Sequence, residues 1–167
     1  MEEAIMEEAV IQESRQFVLF HLGDKEYGLP ILCVQSVIRY EKPTPVPLAP
    51  SGVEGVINLR GQVIPIVDIS MRLFAREFEP ELRSRIVVAE GESGLVGLAV
   101  DSASEVVSIL VSDIRPAPKE ALSTEAVEAF EGVANFKDRL IFLLDLAKAL
   151  PRPEFMTPRA EKGNGDV

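Results

Sequence analysis

EGVINLRGQVIPIVDISMRL, residues 54–73, returns as EGVANFKDRLIFLLDLAKAL at residues 131–150. Aligned without a gap, the two copies share Glu, Gly, Val, Asn, Ile, Asp and the final Leu, seven of twenty positions, where average composition would give about one. Upstream, Gly28-Leu29 and Gly97-Leu98 open similar apolar runs, YGLPILCVQSVI and VGLAVDSASEVV, and proline punctuation (KPTPVP, then IRPAP) follows each. The chain is therefore a duplicated unit. Two similar halves must meet, and a groove between them is a natural place to hold a partner.

The repeated stretch also dictates local structure. QVIPIVD is almost wholly apolar and rich in β-branched residues, so it reads as a buried strand, paired through the Arg60-Gly61 turn with EGVINL. Pro65 cannot donate a ladder hydrogen bond, which assigns it to an edge or a bulge. Asp68 ends the strand and can cap the short helix ISMRLF; Asp145 does the same for LAKAL, which Pro151 stops. Outward from this unit, QFVLFHLG and EYGLPI form a hairpin around Gly23-Asp24, and CVQSVIRY is a strand or one helical turn. KPTPVPLAPSG is an extended connector. AREFEPELRS links the halves, and SRIVVAEGESGLVGLAVDSASEVVSI repeats the hairpin with a Gly-Glu-Ser-Gly turn. Short strands and regular turns point to two small β-barrels rather than a parallel sheet. Residues 1–15 carry Ile5, Met6, Ala9 and Val10 at helical spacing beside glutamates and read as a solvated acidic extension. Residues 151–167 have the composition of a disordered tail.

With 167 residues the chain suits one domain or two lobes sharing a core, and 47% apolar residues suffice to fill it. A net charge of −10 argues against nucleic acid and anionic membrane as partners. The start of the chain is acidic where a signal peptide would be basic, and no run approaches a membrane span, so the expected location is the cytoplasm. Cys33, the single cysteine, lies in an apolar run and reads as a small buried residue.

The catalytic inventory is short. His21, the single histidine, sits in a strand with no Ser or Cys set beside it as nucleophile, and no Cys/His/acid cluster has metal-ligand spacing. Asp68, Asp101 and Asp145 precede helix-like or turn segments and read as caps. GESGLVG joins two β-like runs, so it is a hairpin turn and not a phosphate loop. In the turn Asn58-Leu59-Arg60-Gly61, chain geometry accounts for Asn and Gly but not for the arginine. Arg60 is open to two readings, turn filler or partner contact. Ile31, Leu32, Cys33, Val34, Val37 and Ile38 leave few polar positions, enough for a core face and an exposed strip on which a helix could dock.

GVINLRGQVIPIVD, with GDKEYGLPILCVQSVIR before it and GLAVDSASEVVSI and IRPAP after it, resembles the CheW family over about residues 16–150, leaving only the two tails outside. The resemblance implies a mainly β fold of two five-stranded SH3-like barrels packed around a shared apolar interface, with short helices. Such barrels can exchange strands and need not equal the sequence halves, about 16–83 and 84–150. It implies a non-catalytic, cofactor-free and metal-free chemotaxis adaptor that couples the cytoplasmic helical tips of chemoreceptors to the regulatory domain of the histidine kinase CheA, at arrays near the inner face of the membrane. Residue by residue it assigns Val18, Ile31, Val34, Val37 and Val100 to the receptor groove and the coupling arginine to Arg60. Kinase contacts are expected at the barrel ends, without named residues. Some relatives carry an acid at the position of Ser36, so the salt bridge it would make with Arg60 is missing here. The alternatives are a same-fold adaptor in another chemosensory-like pathway, such as surface motility, and more remotely a small-ligand-binding barrel or a hydrolase.

Overall fold

The computed structural model describes residues 13–120, 123 and 128–150. The first half supplies β1 (Ser14–Leu22), β2 (Lys25–Pro30), a 3₁₀ turn (Ile31–Cys33), β3 (Val34–Arg39), β4 (Val53–Leu59), β5 (Gln62–Asp68) and α1 (Ile69–Phe74). The second supplies β6 (Arg85–Gly91), β7 (Gly94–Val100), β8 (Ser102–Leu110), a 3₁₀ turn (Val111–Asp113), β9 (Ile114–Arg115), β10 (Phe130–Phe136), β11 (Arg139–Leu144) and α2 (Leu146–Ala149). The third apolar segment is thus both a helical turn and a strand. β1 starts at Ser14, two residues inside the stretch assigned to the acidic extension. Residues 1–12 of that extension, the 151–167 tail and the Pro151 stop lie outside the described residues.

The strands form two sheets, β8-β1-β2-β11-β10-β9 and β3-β6-β7-β5-β4. Each is built by exchange. The β1–β2 hairpin of the first half lies between β8 and β11 of the second, and the β6–β7 hairpin of the second lies between β3 and β5 of the first. The joins β2–β11 and β5–β7 are parallel, and every other pairing is antiparallel. The repeated glycines mark these joins. A Cβ on Gly28 would lie 3.0 Å from Leu143 Cδ2, and one on Gly97 would lie 2.5 Å from Ile66 Cδ1. Glycine leaves room there for the parallel partner's side chain, most tightly at Gly97.

Three apolar cores follow from this exchange. Phe17, Leu19, Val107, Ile109, Ile141 and Leu143 fill a core belonging to the six-stranded sheet alone. Ile57, Ile64, Ile66, Ile86 and Val88 fill one belonging to the five-stranded sheet. The third takes Phe20, Leu22, Tyr27 and Leu29 from one sheet and Val67, Val87, Leu98 and Val100 from the other, and it is the expected shared interface. Phe17 and Leu19 of β1 face the core of their own sheet and Phe20 and Leu22 the shared one, so β1 is buried on both faces.

Of the two places expected for Pro65, an edge or a bulge, the edge is not met, because β5 lies inside its sheet between β7 and β4, and a bulge lies one pair away. The proline is tolerated because the ladder with β7 begins only at Ile66, and the β4 bulge between Val53 and Gly55 sits against the same stretch. Asp68 and Asp145 cap α1 and α2 as expected, their Oδ1 atoms accepting from Met71 N (3.0 Å) and Lys148 N (3.4 Å). Asp101 caps no helix. Its carboxylate accepts from Gly23 N at 2.6 Å and ties down the β1–β2 turn of the other half.

Candidate functional site: an apolar strip where the sheets meet

Edge strand β3 shows how one segment serves two surfaces. Val34 and Val37 are paired with Ala89 and Val87, both in the shared core, so these two valines lie on the face toward the other sheet. Ile38 packs instead into the core of its own sheet. The bulge between Val34 and Ser36 shifts the alternation and makes this division possible. Val34 is half-buried against the shared core, while Val37 is 40% exposed at its rim. The preceding 3₁₀ turn packs against β1 and β6 and holds Leu32 out at 94% exposure.

On the other sheet, Val18 pairs directly with Val106 of β8 and shares its face. Val18 is nearly buried and Val106 is 51% exposed. Val100 has no accessible surface and supports the strip from within. The accessible strip therefore consists of Ile31, Leu32, Val34, Val37 and Val106. Leu32 was named in the apolar run but not among the groove residues that the resemblance assigns, and Val106 was named in neither. The repeat held the signal for Val106, since counting from Gly28 and Gly97 makes it the counterpart of exposed Val37. The same count matches Ser36 with Glu105, which pairs with Arg139 at 3.0 Å. The second half keeps an acid–arginine pair that the first half lacks. Cys33, packed beside the strip, has its thiol pKa pushed up chiefly by burial and then by the charge of Glu131, as befits a packing residue.

Arg60 sits on the β4–β5 turn beside Leu59, which packs against the same core as Ile38 of β3, and Tyr40, just past the end of β3, donates to Glu54 of β4 at 3.0 Å. Arg60 and Gly61 have φ of 52° and 84°, and Leu59 pairs with Gln62, which makes a two-residue type I′ hairpin. Asn58 Oδ1 accepts from Gly61 N at 2.9 Å and accounts for the asparagine. The Arg60 side chain is exposed and has no hydrogen bond or ion pair among the described residues. Lys137 and Asp138 repeat the turn with φ of 49° and 64°. Both halves thus accept a basic residue in the left-handed region, where asparagine or glycine would be less strained.

Ser102 Oγ lies 3.3 Å from His21 Nδ1, brought there by the β1–β8 pairing, but it is not set up as a nucleophile. His21 Nε2 is 3.8 Å from Glu26 Oε2, beyond hydrogen-bond range, and Arg139 holds that same oxygen at 3.3 Å. The carboxylate does not orient the ring as a nucleophilic triad requires. The arrangement is a cross-strand polar cluster. Among the described residues, no group of three His, Cys, Asp or Glu side chains could hold a metal ion, and no helix is long and apolar enough to cross a membrane.

Two sheets joined by exchanged hairpins, with an apolar strip at their seam and a basic turn at one end, define a protein that presents surfaces to other proteins. Residues 16–154 match the CheW-like domain, and the chain belongs to the CheW family. It is 40% identical over 140 residues to the chemotaxis protein CheW of Rhizobium meliloti, covering 84% of this chain and 90% of that one. It is 32% identical over 144 residues to the protein FrzA of Myxococcus xanthus, covering 85% and 89%. The scaffolding protein TtCheW of Thermoanaerobacter tengcongensis has a similar crystal structure, with a TM-score of 0.75, 31% identity, and coverage of 84% of this chain and 90% of that one.

Proposed function

We propose that this protein is a chemotaxis adaptor that couples the cytoplasmic helical tip of a chemoreceptor to the regulatory domain of CheA, working in the cytoplasm at receptor arrays. The observation that carries this reading is the accessible apolar strip at the seam of a CheW-family fold. Ile31, Val34 and Val37, backed by Val18 and Val100 and extended by Leu32 and Val106, offer a helix an apolar track. Arg60 supplies a charged contact. Residues 16–150 act as one adaptor unit, and each sheet curls into an SH3-like barrel around its own core. Individual contacts are modest, near micromolar or about −8 kcal/mol, and the array makes them effective through local concentration.

The test is CheA autophosphorylation with receptor fragments, with and without this protein. Strong stimulation only in the three-part mixture supports coupling; its absence, with both partners cognate, removes the adaptor role. Val37→Glu probes the strip more cleanly than Val34→Glu, because Val34 also packs on the shared core and its change endangers folding. The likeness to FrzA favours a second reading, the same adaptor chemistry in another chemosensory-like pathway. Stimulation by a kinase and receptor of such a pathway, and not by those of swimming chemotaxis, would select it.

A further inference from the structure

The apolar strip continues beyond the seam. Along β8, Val107 and Ile109 point into the core of their own sheet, so Val106, Ser108 and Leu110 share the opposite face. On β1 that face carries Ser14, Gln16 and Val18, paired with Leu110, Ser108 and Val106, and it runs on into the shared core at Phe20. Leu110 is 39% exposed and Val111, the next residue, is 41% exposed. The 3₁₀ turn that holds Leu32 out packs against β1 and joins this face to β3. Exposed apolar side chains therefore mark a track from Val111 and Leu110, through Val106, to Val37 and Leu32.

The chain enters the fold at the start of that track. Glu13 O accepts from Val111 N at 2.9 Å, and Ser14 opens β1 opposite Leu110. Residues 1–12 precede this point and lie outside the CheW-like match, which begins at residue 16. They carry Ile5, Met6, Ala9 and Val10, which fall on one side of a helix, with Glu7 and Glu8 flanking them. With a reversal at residues 11–13, residues 1–10 span about 15 Å as a helix. The face from Ser14 to Val18 is about 13 Å long. So short a helix is marginal in water alone and needs an apolar surface to form on.

We propose that residues 1–10 fold back onto this track as a helix and compete with the receptor helix, taking the strip's receptor role as given. Ala9 and Val10 lie near Leu110, and Ile5 and Met6 point toward Val106. The extension is then an internal competitor, which lowers receptor affinity in proportion to the free fraction of the strip. Glu2, Glu3, Glu7 and Glu8 dock on a chain that is itself acidic, with a net charge of −10 overall. Docking should therefore strengthen as salt screens that repulsion.

The experiment compares the full chain with its Ile5→Ser/Val10→Ser variant, which keeps the charge and alters no residue of either sheet. Methyl NMR reads the track, and calorimetric titration with a receptor-tip fragment reads its availability. The variant should shift the methyl signals of Val106 and Leu110 and leave Val63 of β5 unmoved. It should bind the fragment about three- to tenfold more tightly, with the gap widening as salt rises. Unchanged Val106 and Leu110 signals would overturn the docking, and shifted signals with unchanged affinity would overturn the competition. Shifts that depend on protein concentration would assign the track to the extension of a second copy, overturning the intramolecular contact. A fragment that binds neither protein would count against the receptor role of the strip, while the docking still stands or falls on the methyl signals.

Discussion

Arg60 and Glu54 show how single side chains depart from what their local backbone asks for. Type I′ geometry at Arg60 and Gly61 is served as well by asparagine as by arginine. Arg60→Asn should therefore leave the thermal midpoint unchanged or slightly raised, while receptor-dependent kinase activation falls; retained activation would return the arginine to a turn role. Glu54, the first residue of the repeated motif, accepts from Tyr40 OH at 3.0 Å, and its Oε1 is buried without a partner. Its counterpart Glu131 is paired with Arg15. Burial, aided by the charge of Asp68 and opposed by the Tyr40 bond, raises the Glu54 pKa above its ordinary value of 4.5. The folded state thus holds this proton more tightly than the unfolded chain. Glu54 contributes stability that is full below the ordinary value and is lost as pH rises through the raised one. Urea midpoints across that window should fall with pH in wild type, and Glu54→Gln should flatten the fall. An identical slope in the variant would exclude Glu54 as the source.

At the scale of elements, the repeat uses one plan with unequal anchoring. Asp68 caps α1 with Oδ1 and holds Phe78 N with Oδ2 at 2.8 Å, so it fixes both the helix and the start of the inter-half connector. Asp145 makes one longer bond, at 3.4 Å. Asp68→Ala should cost about 3 kcal/mol and Asp145→Ala about 1 kcal/mol in urea unfolding; equal costs would show that the second oxygen of Asp68 contributes nothing. Gly97→Ala would drive a methyl against Ile66 Cδ1 and Ile86 Cγ2, at 2.5 and 2.7 Å, and should destabilise by about 1–3 kcal/mol. Hairpins, caps and turns were legible in the sequence because each is local: Gly23-Asp24, Arg60-Gly61 and Asp68 carry their own signals. For Pro65 the sequence left edge and bulge open, since whether a strand is an edge depends on β7, contributed by the other half.

For the whole molecule, exchange makes the halves interdependent. Without the β1–β2 hairpin, β8 and β11 have no strand between them, and without β6–β7, β3 is cut off from β5. Calorimetry should show a single unfolding transition. Fragments 1–83 and 84–167 should each be unfolded alone and recover β structure when mixed, as unpaired edges and half of the shared core demand. A folded isolated half would refute this dependence.

The sequence by itself determined the duplicated unit, the predominance of β structure, the capping acids, the family resemblance and most of the strip, since each rests on residue type and spacing within one stretch of chain. Only the tertiary structure decided which strip residues solvent can reach. Val100 and Val18 are apolar like Val37 and Val106, but burial depends on which strand of the other half lies across them. The same is true of Ser102 beside His21 and of Asp101 on the Gly23 turn. Both contacts join segments about eighty residues apart, brought together by the exchanged hairpins.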